Sequence, residues 1–421
     1  MNEERVLATY LIETPYSLEY AAAVMAGEQS TGTFVAVPGE TAFIKETYGA
    51  KVVRITELEP ALTPSLPGVK PPKEEANLVF RRGEVVLSFP YHNFGPSIPN
   101  LLATVAGNLY ELREFSGLRL IDLEVPVQFT EKYLGPQFGI EGTRRLTAVN
   151  GRPLIGTIVK PSIGLALDDL RGLVRELALA GIDFIKDDEL NGNPPYVPLK
   201  DRVKAVMEEI ERAADKTGKK VMYAFNITGD IDELRENHDA VVKAGGNCVM
   251  VGINSIGFAG VSYLRQFAEV PIHGHRNQWG AMTRCPALGM EFRVYQKLSR
   301  LAGVDHLHTN GLNNKFFESN ESVTRSVQDC LTPMFRGNDT VMPVLSSGQW
   351  AGTAIESYRS MKTVDVLHLA GGGIMAHPGG VAAGVTSMKQ GWEAALGGQS
   401  LAEYAMTHAE LAQAIEKFGR P

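Results

Sequence analysis

From about residue 150 onward, short apolar runs alternate with amphipathic stretches at a regular interval, the pattern of successive βα units. The strand candidates are 154–160, 182–187, 220–226, 247–252, 270–275, 304–309, 341–347 and 365–371. Eight strands, each followed by a helical stretch, predict a (β/α)8 TIM barrel, whose chemistry sits at the C-terminal ends of its strands. Those ends read Lys160, the Lys186 cluster, Asn226, His275 with Arg276, His308, Ser347, and Gly371 with Gly372. They are mostly polar, where the strand interiors are apolar.

The first 130 residues differ in kind. A strand at 51–57 is mixed with helical stretches near 16–26 and 98–108, which predicts a small α+β domain over 1–130, expected to be ferredoxin-like from the family resemblance described below, ahead of a barrel over 131–421. Between them F-T-E-K-Y-L-G-P-Q-F-G-I-E-G is rich in glycine and aromatics and reads as a linker.

Composition narrows the class. The 421 residues carry a net charge of −7 and no basic run interleaved with aromatics, so nucleic acid and anionic membrane are not expected partners. The acidic start M-N-E-E-R lacks the basic region of a signal peptide, and no run reaches the ~18 apolar residues of a membrane helix, so a cytoplasmic protein is expected. Three widely spaced cysteines, Cys248, Cys285 and Cys330, do not form a disulfide framework or a C-x-x-C site and are read as core residues.

The second strand runs into G-I-D-F-I-K-D-D-E, an apolar stretch ending in Lys186, Asp187, Asp188 and Glu189. Alternation along a strand points Lys186 and Asp188 the same way, with Glu189 free to swing in from the loop. Two carboxylates suit Mg²⁺, which keeps positions open for water and substrate oxygens, but an ammonium beside them repels a metal. The residues by themselves leave open a Mg²⁺ site and a plain ion pair between Lys186 and Asp188.

K-D-D-E at the end of the second barrel strand resembles the RuBisCO superfamily, and the likeness extends over nearly the whole chain. It implies that Lys186 reacts with CO₂ to form a carbamate, so that N6-carboxylysine 186, Asp188 and Glu189 bind Mg²⁺ together. T-I-V-K-P resembles the segment with the family's proton-transferring lysine, here Lys160; alone, Lys160 would read as a lysine snorkelling from a strand end. H-G-H-R resembles the family's H-x-H-R and gives His275 a polar role near the enediolate and Arg276 a phosphate contact. His308 matches a phosphate ligand, Ser347 a substrate hydroxyl contact, and Lys315 in N-G-L-N-N-K-F-F-E a mobile-loop lysine facing a carboxylate. Gly371 and Gly372 follow the last strand, where barrels often bind phosphate through backbone N–H groups. In the first domain, A-G-E-Q-S-T-G-T-F and A-G-N-L-Y resemble segments that supply Glu28, Thr33 and Asn108 to a neighbouring subunit's barrel, which implies a homodimer or a multiple of one. Alone, those segments would read as helix caps and turns.

The chain departs from the carboxylases at Ser162, where they have lysine, at Trp279 for histidine, at Phe34 for tryptophan, and at Gln349 for glycine. The resemblance is therefore to form IV RuBisCO-like proteins of the non-photosynthetic branch rather than to CO₂-fixing enzymes. It implies Mg²⁺-dependent C–C cleavage of a phosphorylated 3-oxo sugar acid such as 3-oxo-isoapionate 4-phosphate, by decarboxylation or by transcarboxylation and hydrolysis. The alternatives are enolisation or isomerisation of a methylthio-sugar phosphate, ribulose-bisphosphate carboxylation, and a non-catalytic binding protein.

Overall fold

The computed structural model describes residues 4–33, 37–72 and 78–419. The described residues form thirteen strands, numbered β1 to β13 along the chain, and divide into two compact units.

The first unit comprises residues 1–133 and 278–298. Strands β1 (Arg5–Thr14), β2 (Lys51–Ala61), β3 (Phe80–Pro90) and β4 (Gly117–Glu124), with helices Leu18–Glu28 and Ile98–Ala106, follow the βαββαβ order of a ferredoxin-like fold. The sheet order is β10-β4-β1-β3-β2. Burial alternates along the first six residues of β1, as expected of a strand with one covered face. Ser17 and Ser97 cap the two helices by accepting from the N–H groups of Tyr20 and Asn100. The fifth strand, β10 (Leu288–Met290), pairs parallel with β4. Arg119, buried on β4, holds this excursion in place: it donates to Glu291 at 2.8 Å and to the carbonyls of Thr283, Cys285 and Leu288. Phe34 lies outside the described residues, and Trp279 stacks on Tyr295 at 4.7 Å within this unit's core.

The second unit, residues 134–277 and 299–421, is the barrel. Strands β5 (Leu154–Ile158), β6 (Phe184–Lys186), β7 (Met222–Asn226), β8 (Cys248–Gly252), β9 (Ile272–His275), β11 (His306–His308), β12 (Met342–Leu345) and β13 (Leu367–Leu369) close in that order, all parallel. Each lies inside its expected run, and Lys186, Asn226, His275 and His308 are the last residues of their strands. Leu154, Phe184, Met222, Met250, Val344 and Leu369 fill the interior, as barrel cores require. The flanking helices bury one stripe each, such as Leu199, Val203, Val206 and Ile210 on Leu199–Thr217.

The glycine-rich segment 129–142 is not a plain linker, because helix Gly139–Thr147 begins inside it. Buried Asp305 accepts from the N–H groups of Gln137, Phe138 and Gly139 at 2.5–2.9 Å and from Ile272 at 2.8 Å, fastening the helix entry to β9. Gly139 has φ 51°, and a Cβ there would meet the Thr340 carbonyl oxygen at 2.5 Å. Cys248 and Cys330 are buried as expected, whereas Cys285 is partly exposed in the excursion after β9. Among the described residues, no helix is long and apolar enough to cross a membrane.

Candidate active site

Lys186 is the last residue of β6 and is almost wholly buried. Its Nζ donates to the Asp187 carbonyl at 2.9 Å and lies 3.4 Å from Glu189 Oε2. The ion pair to Asp188 comes from Lys160, two residues past the end of neighbouring β5, instead, with Nζ 2.6 Å from Oδ2. An Asp188–Lys186 pair, the plain alternative from sequence, is therefore replaced by two crossed pairs. Lys160 also donates to Ser162 Oγ at 2.7 Å, so the serine standing where carboxylases have lysine is the hydroxyl that steadies it.

Asp187 turns away from this group. It is fully buried and accepts from Arg202 Nε at 3.1 Å, Tyr223 Oη at 2.7 Å and the Asn226 N–H at 2.9 Å. The Asn226 amide in turn donates to the Asp188 and Glu189 carbonyls at 3.2 Å. These bonds fix the turn that presents Asp188 and Glu189. His275, at the end of β9, brings Nε2 to 3.4 Å from Glu189 Oε2.

Burial pushes the Lys186 amine below its ordinary range, against the pull of Glu189 and Asp188. Burial opposes ionisation of Glu189, but Lys186 and then His275 outweigh it and hold the carboxyl at about 2. Burial and Lys186 bring His275 down to about 4.

This group can be tested against the Mg²⁺ site that its sequence implies. Among the described residues, no three His, Cys, Asp or Glu side chains gather round one point. Asp188 and Glu189 supply hard oxygen donors, and the third donor at hand is the Lys186 nitrogen. A buried amine shifted toward its neutral form can attack CO₂, losing one proton and gaining a carboxylate. With that carbamate the group offers three oxygen-bearing anions and fits a hard divalent cation; with an ammonium it does not.

Beyond His275, the rim continues into two networks that sequence reasoning missed. His273 and His306, inside the barrel, join His308 in a buried row. His306 Nε2 meets Thr143 Oγ1 at 2.8 Å, and the His306 and His273 Nδ1 atoms meet at 3.2 Å. His273 and His308 share an Nε2–Nε2 contact of 2.8 Å, and His308 Nδ1 meets Ser346 Oγ at 3.1 Å. Burial holds all three rings below the ordinary histidine range, His306 at about 3. Both ring nitrogens of His308 are thus engaged by the protein.

The second network is ionic. Arg276 donates to Glu318 Oε2 at 2.5 Å, with side chains only 5% and 7% exposed. The same oxygen accepts from Asn310 Nδ2 at 2.7 Å, and Oε1 accepts from Ser322 at 2.8 Å. Ser347 Oγ donates to Asn310 Oδ1 at 3.0 Å. Both Asn310 and Ser347 have positive φ, 63° and 70°, which aims them back at the loop. Glu318 closes the N-G-L-N-N-K-F-F-E segment, so it was in view in the sequence without a partner to give it meaning.

Lys315, seven residues after His308, is exposed. Its stem packs beside Gly348, and its Nζ lies 5.3 Å from the Phe316 ring. Gln349, a departure from the family glycine, is buried and donates to the Leu312 and Ser347 carbonyls. After β13, a Cβ at Gly372 would meet nothing within 4 Å, while one at Gly373 would strike the Gln349 carbonyl at 2.5 Å. There is open space beside Gly372, a Cβ at Gly371 would touch Ile158 at 3.5 Å, and Gly373 is closed in by the Gln349 carbonyl.

In the first unit, Glu28 ends its helix half-buried, while Thr33 and Asn108 are exposed. Gln29, with its amide turned to satisfy both ends, accepts from the Asn108 N–H at 3.0 Å. Glu28 and Asn108 therefore lie on adjoining elements of that unit.

A barrel with a lysine and two carboxylates after its second strand, preceded by a ferredoxin-like unit, defines a class. The model of the ribulose bisphosphate carboxylase large chain matches as an N-terminal domain over residues 1–129 and a catalytic domain over 139–418, and the chain belongs to this family. Within it, the chain is 51% identical to the 3-oxo-isoapionate-4-phosphate transcarboxylase/hydrolase of Xanthobacter autotrophicus over 98% of this chain and 99% of that one. It is 48% identical to the 3-oxo-isoapionate-4-phosphate decarboxylase of Rhizobium etli over 98% of each. Among solved structures, a rubisco-like protein from Burkholderia fungorum is 45% identical, with a TM-score of 0.91 and coverage of 99% of this chain and 100% of that one.

Proposed function

We propose that this chain is a Mg²⁺-dependent RuBisCO-like enzyme that cleaves the bond to the carboxylate of 3-oxo-isoapionate 4-phosphate or a closely similar phosphorylated 3-oxo sugar acid. The observation that carries this reading is the crossed arrangement at the β5 and β6 ends: Lys160 2.6 Å from Asp188, beside a buried Lys186 amine against Glu189. Full-length similarity to relatives acting on that substrate supports it.

Lys186, carried as its carbamate, would hold Mg²⁺ with Asp188 and Glu189. Bound there, the ion supplies a Lewis acid for the 3-oxo group and the enediolate oxygens. In a 3-oxo acid, the electron pair of the bond to the carboxyl carbon passes into the adjacent carbonyl. CO₂ leaves in a decarboxylase, or the carboxyl group is passed to a substrate oxygen and then hydrolysed. Either way an enediolate remains and needs a proton at carbon.

Lys160 is the group that supplies this proton, aimed by Asp188 and Ser162. His275 offers a neutral ring to the enediolate oxygens. Lys315 closes over the departing carboxylate as the loop folds in, and Gly371 and Gly372 receive the phosphate. Thr33 and Asn108 are exposed and Glu28 is half-buried, which suits residues that complete a second copy's barrel, so the working unit is a homodimer or a multiple of one.

The exposed position of Lys315 keeps one rival in the test, since an enolase or isomerase acting on a methylthio-sugar phosphate needs no contact to a carboxylate. The experiment is ³¹P and ¹H NMR of the protein with Mg²⁺ and bicarbonate in D₂O, offered the 3-oxo acid phosphate, a methylthio-sugar phosphate and ribulose bisphosphate. Conversion of the 3-oxo acid alone, with deuterium at the product carbon, is expected. A ¹³C-labelled carboxyl group appearing as CO₂ marks a decarboxylase; its retention in a product acid marks transfer and hydrolysis. Turnover of the methylthio compound, with Lys315→Ala fully active, would overturn the reading.

A further inference from the structure

The rim after β9, β11 and β12 carries Arg276, His308 and Ser347, the residues that family resemblance associates with anion and hydroxyl contacts. Each is already engaged. Arg276 is bound by the Glu318 carboxylate at 2.5 Å, His308 stands between His273 and Ser346, and Ser347 donates to Asn310. The one permanent cation of this group is cancelled by an anion buried beside it. A phosphate dianion arriving here would have to displace Glu318 from the guanidinium or lie against it, and a buried carboxylate stripped of its partner is costly. A hydroxyl needs neither: it can share the Asn310 and Ser347 hydrogen bonds and leave the ion pair intact.

The geometry points to Glu318 as a specificity determinant that makes this end of the site accept an uncharged, hydroxyl-bearing group, so that the substrate is a monophosphate and sugar bisphosphates are refused. The single phosphate then belongs on the open backbone after β13, at Gly371 and Gly372. Glu318 acts through Arg276 and Asn310, holding both in an arrangement with no net positive charge to offer. The inference rests on the proposed sugar acid, which carries a single phosphate, and it adds the residue that turns a second phosphate away.

The test is calorimetric binding of ribulose 5-phosphate and ribulose 1,5-bisphosphate to the full chain with Mg²⁺ and bicarbonate, at fixed salt. The wild type is expected to bind the bisphosphate no more tightly than the monophosphate. Glu318→Gln, which keeps acceptors for Arg276 and Asn310 but removes the charge, should shift that ratio toward the bisphosphate by at least about tenfold. Glu318→Asp, which keeps the charge, should preserve the wild-type ratio. A wild type that prefers the bisphosphate overturns the inference, and it does so even if the glutamine variant fails to fold. An unchanged ratio in a folded Glu318→Gln, or no binding of either sugar by both proteins, overturns it as well. Neither probe is the 3-oxo acid. A chain that ignores that acid yet shows the ratio shift loses the proposed reaction and keeps the selector.

Discussion

The lysine end and the arginine end of the barrel rim are both built from ion pairs, and they differ in what those pairs can become. At the β5 and β6 ends, Lys160 and Lys186 face Asp188 and Glu189, and the buried Lys186 amine is pushed toward neutrality. At the β9 and β11 ends, a guanidinium that does not deprotonate is locked to Glu318. The first end can exchange a proton for a carboxyl group and change its charge, while the second stays as it is folded. The proposed chemistry falls where the charges are convertible, and the proposed recognition where they are fixed.

The sharpest way to break this contrast is Lys186→Met. If the lysine end is the convertible one, the variant loses several kcal/mol of transition-state stabilisation, about 10³-fold or more in kcat. It also shows none of the slow activation by bicarbonate expected of the wild type. Lys160→Met should cost about 10²-fold or more in kcat, with loss of deuterium transfer to the product carbon. At the arginine end, Asn310→Ala should behave differently. It removes hydrogen bonds to Glu318 and Ser347, one of them to a charged group at about 1.5–3 kcal/mol, and should raise KM by roughly tenfold or more while changing kcat much less.

Acid should act on the barrel as a whole. His306, and His368 buried in the middle of β13, are held by burial at about 3, below the unfolded value, so the unfolded chain binds more protons as pH falls. Stability should therefore be full above pH ~6.5 and fall down to pH ~3, by about 1.4 kcal/mol per pH unit for each such ring. Urea midpoints across that window check it, and a flat profile would refute the neutral row. The smallest effect expected is Ser162→Ala, a loss of about 0.5–1.5 kcal/mol of support for Lys160, read as a several-fold drop in kcat with KM unchanged.

The barrel was legible because each strand declares itself locally, as an apolar run ending in polar residues. The grouping of Lys186, Asp188 and Glu189 was legible because its members are nearly contiguous. What escaped depends on residues distant in the chain. β10 takes its place through Arg119, more than 160 residues upstream of its carbonyl partners. The helix at Gly139–Thr147 looked like linker because its entry is fastened by Asp305 rather than by a capping residue of its own. Alternation placed Lys186 and Asp188 on one side but could not show that Lys160 would claim Asp188 first. Glu318 was in plain sight, and only the fold shows which arginine it serves.

The buried row of histidines also has a direction. The Thr143 hydroxyl donates to the Gly139 carbonyl, so it can only accept from His306 Nε2–H. A neutral ring has one proton, so His306 Nδ1 must accept from His273 Nδ1–H, and His273 Nε2 must accept from His308 Nε2–H. His308 Nδ1 is then left to accept from Ser346. One backbone oxygen at a helix start thus decides, like the first tile of a row of dominoes, which way a serine hydroxyl points across the barrel, next to Ser347 on the rim.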